Sequence, residues 1–306
     1  MPLVSIVTPL HNKGPFIEAT LVSVIAQSFT DWELIVVENH SKDDGPSIVN
    51  ETARSERRIR LVDASSHVQG PSAARNAGLE KSTGRWILHL DADDLLEPNY
   101  LEQKLKLAYA NPMADIIAGG WQEFLDGRQE PCVVKQPSCS MKSHSRLLDS
   151  AFAFAPWAVH AALIQKEVIL RCGGWPEEMD ALASEDNVFW FRSIFFSRVE
   201  WDQSHGALYR KATPNSRDMA GGLSAKANIV LATLRWNSEF LRSRGKKVTP
   251  GMHAIAFRVL RNLLCELDRI HKPEVYDEIF NAMRWHLQMT SWFDPRMVYR
   301  RLFKSQ

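Results

Sequence analysis

Two hydrophobic periods alternate along this chain. "VSIVTP" (4–9), "WELIVVE" (32–38), "RIRLVD" (58–63) and "RWILHLD" (85–91) are short apolar runs rich in β-branched residues, the pattern of strands buried on both faces. Between them, "PFIEATLVSVIAQ" (15–27), "AARNAGLEKS" (73–82) and "PNYLEQKLKLAYA" (98–110) read as helices, the last with Pro near its first turn. Strands alternating with helices predict an α/β domain, a mostly parallel sheet with helices on both faces. After residue 113 the pattern changes. "DIIAGGWQEFLDGRQEPCVV" (115–134) reads as a hairpin turning at Asp126-Gly127. A mixed region runs to about residue 213, and the remainder is helical. Ala256, Val259, Leu260, Leu263, Leu264, Leu267 and Ile270 form one apolar stripe; Tyr276, Ile279, Phe280, Met283 and Leu287 form another. Met219-Ala220-Gly221-Gly222 reads as a hinge. The predicted organisation is a domain over 1–221, with halves 1–113 and 114–221, and a helical C-terminal extension over 222–306.

Composition narrows the class. With 306 residues, 45% of them hydrophobic, the chain can bury a large core. A net charge of +1 gives no reason to expect a nucleic-acid partner. The distribution is less even: from Leu223 onward, fifteen Lys and Arg face seven Asp and Glu. A basic tail beside an acidic body would suit an anionic surface. Cys132, Cys139, Cys172 and Cys265 show no zinc spacing. The N-terminal "MPLVSIVTPLHNK" lacks the features of a secretory signal, and no apolar run approaches the roughly 20 residues that span a bilayer. The expectation is a reduced, cytoplasmic protein.

The concentrated chemistry is in "LHLDADDLL". Asp91, Asp93 and Asp94 follow a strand directly, where open α/β sheets bind ligands. Three readings fit these residues alone. One is an acidic helix N-terminus, with Asp94 and Glu97 preceding the 98–110 helix. Another is an Asp-nucleophile phosphatase or other phosphoryl transferase, for which Leu95 stands where a Thr would be needed. The third is a nucleotide-sugar site. Closely spaced Asp oxygens with no nearby Cys or His suit Mg²⁺ or Mn²⁺, which keeps coordination sites for phosphate oxygens.

Three blocks in order favour the third reading. Residues 4–41, "VSIVTPLHNKGPFIEATLVSVIAQSFTDWELIVVENHS", resemble the N-terminal signature of family 2 glycosyltransferases. "GPSAARNAGLEKSTGRWILHLDADD" (70–94) is similar to that family's G-x-x-x-A-R-N-x-G and the D-x-D strand behind it. "CGGWPEEMDALASEDNVFWFR" (172–192) resembles its G-G-F-x-E and E-D segments. The likeness covers roughly residues 3–213 and implies a GT-A fold, with a nucleotide-sugar-binding half over 1–113 and an acceptor-side half over 114–221. The 222–306 extension lies outside it.

The resemblance also implies roles. Pro9 matches the position where the family's backbone meets base and ribose. Glu38 stands at the base-reading carboxylate, with "ENHS" replacing the usual D-D-G-S. Gly70 opens the helix that carries Arg75, whose guanidinium would reach the nucleotide or its diphosphate. Asp91 would hold ribose or nucleotide and share the metal with Asp93, the direct ligand; Asp94 assists or caps a helix. Asn76 is a weaker candidate. Asp186 is similar to the family's general base, with Glu185 the second choice. Such a base takes the proton from an acceptor hydroxyl, and aromatic neighbours would raise its pKa. Trp157, His160 and Trp175 fall where the family builds its acceptor pocket. Ala212 stands where some members carry a metal-binding His, so no ligand is expected there.

The activity implied is inverting transfer of a sugar from a nucleoside diphosphate, a UDP-sugar by preference, to a hydroxyl acceptor, glycan or lipid-linked, in cell-surface polysaccharide synthesis. Mn²⁺ or Mg²⁺ is the implied cofactor. A protein that binds nucleotide sugars without turning them over is the alternative. The C-terminal helices are expected to pack on the body or in a homo-oligomer, or to contact the inner face of the membrane peripherally.

Overall fold

β1 (Val4–Leu10) is the strand around which the first half is built. In the computed structural model, which describes residues 1–125, 133–136, 143–182, 184–211, 222–270 and 276–289, Val4, Ile6, Val7 and Leu10 are wholly buried. β2 (Trp32–Glu38) pairs along one edge of β1 and β4 (Trp86–His89) along the other, both parallel. β3 (Ile59–Asp63) continues the parallel run beyond β2. The sheet then takes in β9 (Ala162–Gln165), antiparallel to both β4 and β6 (Ile116–Ala118), and ends with β10 (Val199–Trp201) parallel to β6. The resulting order, β10-β6-β9-β4-β1-β2-β3, is mostly parallel, as the strand–helix alternation predicts.

The 1–113 and 114–221 halves share both sheets. β9 joins the large one beside β4, and a small four-stranded sheet links β5 (Leu95–Leu96), β11 (Ala207–Arg210), β7 (Trp121–Phe124) and β8 (Val133–Lys135). β7 and β8 pair antiparallel, as a hairpin requires, while the Asp126-Gly127 turn lies outside the described residues. β11 ends the described part of the body, and its pairing with β5 ties it to the segment just after the acidic cluster.

The helices fix the loops at the strand ends. α1 (Gly14–Ile25) and α2 (Gly45–Ser55) share a cap, because Asp43 accepts from Gly14 N (2.7 Å) through one oxygen and Gly45 N (3.1 Å) through the other. A carboxylate there also complements both helix dipoles. α3 (Pro71–Lys81) lies across β1 and β2, and Gly78 makes that approach close: a Cβ would fall 2.4 Å from Val7 Cγ1. α4 (Tyr100–Ala110) follows β5, and α5 (His144–Ala151), α6 (Lys166–Cys172) and α7 (Glu185–Phe195) belong to the second half.

The described part of the extension is helical, as its stripes predict: α8 (Leu223–Ser243), α9 (Pro250–Ile270) and α10 (Tyr276–Met289). It packs on the body. Phe240 of α8 meets Phe191, Phe195 and Phe196, and Asn237 donates to the Phe152 carbonyl (3.0 Å). Residues 219–221 of the expected hinge, and Trp292 and Phe293, lie outside the described residues. Among the described residues no helix is long and apolar enough to cross a membrane.

α9 and α10 meet at two buried histidines, His253 and His286, whose Nδ1 atoms are 2.8 Å apart. Burial, and then the neighbouring His253, lower His286 from 6.5 to about 3; burial also lowers His253. A histidine kept neutral in the fold and protonated when unfolded removes stability as pH falls below its unfolded value. Each such histidine costs about 1.4 kcal/mol per pH unit below that value. The urea midpoint should therefore drop between pH 7 and pH 5, and His286→Leu should make that drop shallower than in the parent chain.

Candidate active site

Three carboxylates crowd the end of β4, and each meets a positive or donating group of the protein. Asp91 Oδ1 lies 2.6 Å from Arg75 Nη2, and Asp93 Oδ2 lies 2.5 Å from Lys13 Nζ. Asp94 Oδ1 accepts from the Arg210 backbone N–H at 2.8 Å, and its Oδ2 is 3.1 Å from His160 Nδ1. Arg210 also donates through Nε to the Asp93 carbonyl (2.7 Å). Thr20 of α1 sets its hydroxyl within 3.0 Å of the Ala92 carbonyl and 2.9 Å of the Asp94 carbonyl. The loop is therefore held from α1, α3 and β11 together.

Asp94 and His160 form the buried base of this cluster. Burial, then Asp93 and Asp91, push the Asp94 carboxyl well above the ordinary range. Burial lowers His160 to about 4. Both shifts favour a neutral acid beside a neutral imidazole, which avoids placing separated charges in the interior. Asp94 is not the cap of the next helix: α4 begins six residues later, behind Asn99.

α3 joins the acidic cluster to the third sequence block. Arg75 is 2% exposed; its Nη1 lies 3.4 Å from Glu185 Oε1, and its Cζ lies 4.3 Å from the Trp175 ring centroid. The guanidinium's position is interior, between two carboxylates and an indole. The next residue, Asn76, accepts from Trp175 N (2.8 Å) and donates to the Trp175 carbonyl (3.0 Å) and Glu177 Oε1 (2.8 Å). Gly174, with φ at 76°, takes the left-handed turn that brings this peptide in. At the helix start, both Asp180 oxygens lie 3.1 Å from Ser72 N. A Cβ on Gly70 would sit 2.0 Å from Asp180 Oδ2, so Gly70 makes room for a carboxylate of the chain itself.

The remaining candidates divide between cleft and core. Pro9 is the penultimate residue of β1, and Glu38 ends β2 with Oε1 accepting from Ser41 N. Glu185 is 3% exposed, whereas Asp186 beside it is half-buried, its Oδ1 accepting from Asn187 N at 2.8 Å. Trp157, His160 and Trp175 are at most 2% exposed, so as folded they do not offer ring faces to an acceptor. Trp157 packs edge-on against Trp190 and Trp201. Trp175 stacks on Phe189 at 3.9 Å and donates from Nε1 to His89 Nε2 (3.0 Å). Lys13, Asp180 and Arg210 were missed by sequence reasoning. Lys13 follows a strand and precedes Gly14-Pro15, a helix start that could have marked it as facing the same strand ends.

Residues 5–154 match the sequence model of Glycosyl transferase family 2. This stretch of the chain belongs to that family. An uncharacterized glycosyltransferase of Haemophilus influenzae is 36% identical over 126 residues, 41% of this chain and 49% of the relative. The Escherichia coli UDP-Glc:alpha-D-GlcNAc-diphosphoundecaprenol beta-1,3-glucosyltransferase WfgD is 36% identical over 109 residues, 36% of this chain and 42% of the relative. The matched stretch thus spans less than half the length of either relative. The crystal structure of S. aureus TarS 1–349 in complex with UDP-GlcNAc superposes with a TM-score of 0.61 at 16% identity, covering 95% of this chain and 93% of that one. The shared architecture is the GT-A fold.

Among the described residues no group of three His, Cys, Asp or Glu is arranged to hold a metal ion. Asp91 and Asp93 still fit a hard cation that takes one or two carboxylates and fills its remaining positions with phosphate and water oxygens. Both are carboxylates just beyond the C-terminal end of β4, 30% and 14% exposed.

Removing Arg75 should test its interior role. Arg75→Met would leave Glu185 buried without its guanidinium, a class of change that costs about 3–5 kcal/mol. Urea denaturation should register a loss of that order without any nucleotide present; a guanidinium serving ligand alone would leave the midpoint unchanged.

Proposed function

We propose that this chain transfers a glycosyl group from a nucleoside diphosphate sugar, UDP-linked by preference, to a hydroxyl of a glycan or lipid-linked acceptor in cell-surface polysaccharide synthesis. The observation that carries this reading is the Arg75 bridge. One guanidinium lies against Asp91 of the donor-side block and Glu185 of the acceptor-side block, 94 positions apart in the chain. Family 2 membership over 5–154 supports the class of reaction, and the UDP-linked substrates in the names of WfgD and the TarS complex support the choice of nucleotide.

Each residue then has a task. Pro9 and Glu38, at the ends of β1 and β2, border the place of the base and ribose. Asp91 and Asp93 would hold Mn²⁺ or Mg²⁺, which when bound offsets the charge gathering on the departing diphosphate. Asp186 takes the proton of the acceptor hydroxyl as its oxygen attacks the anomeric carbon from the face opposite the nucleotide. The new C–O bond forms, the bond to the diphosphate breaks with its electron pair, and configuration inverts. Glu185 is buried against Arg75 whereas Asp186 is half-buried, which favours Asp186 as the base. The burial of Arg75 and Asp94 holds the carboxylates in place before substrate arrives, so little reorganisation falls within the reaction itself.

Asp186→Asn should retain UDP binding and lower kcat by about 100-fold or more, the range of a lost general base. Asp93→Ala should abolish the increase in UDP affinity that Mn²⁺ produces. Calorimetry with UDP and Mn²⁺, together with nucleoside diphosphate release from a panel of donor sugars, measures both. Undiminished turnover by Asp186→Asn would remove that residue from the role of base.

A further inference from the structure

Among the described residues, three cationic side chains balance the acidic cluster at the end of β4, and they differ in exposure. Arg75 is 2% exposed and divides its guanidinium between Asp91 and Glu185. Arg210 is 8% exposed, lies over the rings of Phe16 and Phe124, and grips the loop through backbone and side chain. Lys13, whose Nζ lies 5.8 Å from the Phe16 ring centroid, is the most exposed of the three. Its side chain is 19% exposed, and its Nζ reaches Asp93 Oδ2 at 2.5 Å. A lysine ammonium is a compact charge on a four-carbon stem, able to swing through several ångströms without moving the backbone.

Lys13 and a divalent cation compete for the same carboxylate. A cation bonded to Asp93 at about 2.1 Å would lie only a few ångströms from the ammonium, where like charges repel strongly and salt screens little. Resting on the donor-site reading above, we infer that Lys13 is a displaceable counter-ion: it neutralises Asp93 in the donor-free protein, yields that carboxylate to the metal, and transfers its ammonium to the donor's diphosphate. The anchor of the lysine favours this exchange. Lys13 is the residue before the first turn of α1, and its carbonyl accepts from Phe16 N (2.9 Å) and Ile17 N (3.0 Å), so the backbone stays fixed while the stem moves. The consequence is ordered assembly. Metal alone binds weakly because it must evict a cation, and metal with nucleoside diphosphate binds well because the evicted cation has a new partner.

The test is Mn²⁺ binding, read from the free-Mn²⁺ electron paramagnetic resonance signal, with and without UDP. Parent chain, K13Q, K13R and D93N are compared, and circular dichroism verifies that each is folded. Without UDP, K13Q should bind Mn²⁺ about tenfold more tightly than the parent, the scale expected for removing one adjacent like charge. K13R, which keeps the charge, should stay near the parent, and D93N should lose the site. UDP should strengthen Mn²⁺ binding strongly in the parent and much less in K13Q. In a metal-free buffer, K13Q should also bind UDP more weakly than the parent. Unchanged or weaker Mn²⁺ binding by UDP-free K13Q, with the parent still binding Mn²⁺ and UDP, overturns the exchange and leaves the donor site standing. Loss of both UDP and Mn²⁺ binding in the parent chain overturns both.

Discussion

Much of this molecule depends on one buried guanidinium. Arg75 has two carboxylates at its edge and an indole against its face, and the three partners come from different parts of the chain: Asp91 after β4, Glu185 at the head of α7, Trp175 after a two-glycine turn. Placing a charge in an interior is costly unless it is paired and hydrogen-bonded, so the arrangement is stable only when all three segments are present together. That requirement makes Arg75 a coordinate reference. Neighbouring contacts on α3 repeat its choice of partners, Asn76 with Trp175 and Glu177, Ser72 with Asp180. The third block thus docks along the first half of α3, through Ser72, Arg75 and Asn76, and the head of α7 is positioned relative to the end of β4 without a direct covalent path.

The same economy governs the acidic loop. Like charges in so short a segment oppose folding unless something cancels them, and here the cancellation comes from three directions. Lys13 comes from the start of α1, Arg75 from α3 and Arg210 from the last strand of the small sheet. Asp94 solves the problem differently, by residing where a neutral carboxyl is favoured, next to a neutral histidine. An interior this polar is tolerable because donors and acceptors converge on it from rigid elements.

The alternation of strand and helix periods was enough to read β1, β2, β3, β4, α1, α3 and α4 to within a few residues, because the strands are near-continuous apolar runs and the segments between them are helix-length. α2 was missed for a physical reason: of its eleven residues only Gly45 and Val49 are buried, so it carries few apolar residues, and its signal is the Asp-Asp-Gly-Pro start. The antiparallel β9 was also hidden, since four residues of "ALIQ" carry no direction. In the site, Asp91, Asp93, Glu185 and Asp186 were legible as patterned acids. Arg75 was legible as important, but its burial was not, because exposure is decided by what the fold places opposite it. Trp157, His160 and Trp175 show the same ambiguity, and the interior claimed all three. Lone cations have no periodicity to reveal them: Lys13 is marked only by the helix start behind it, and Arg210 emerges only when a distant strand end is brought near.

Helix starts in α/β folds commonly serve as ready-made receptors for phosphate, offering unpaired amides at a positive dipole end. Three of the helices at this end of the sheet have already committed that capacity internally. Asp43 takes the first amide of α1 and also that of α2, and Asp180 covers the first turn of α3, in the space that Gly70 leaves open. An anion arriving at this edge therefore meets side chains before it meets backbone. Recognition built that way is easily rewritten: changing one lysine or arginine alters it, whereas a backbone cradle would require the fold itself to change.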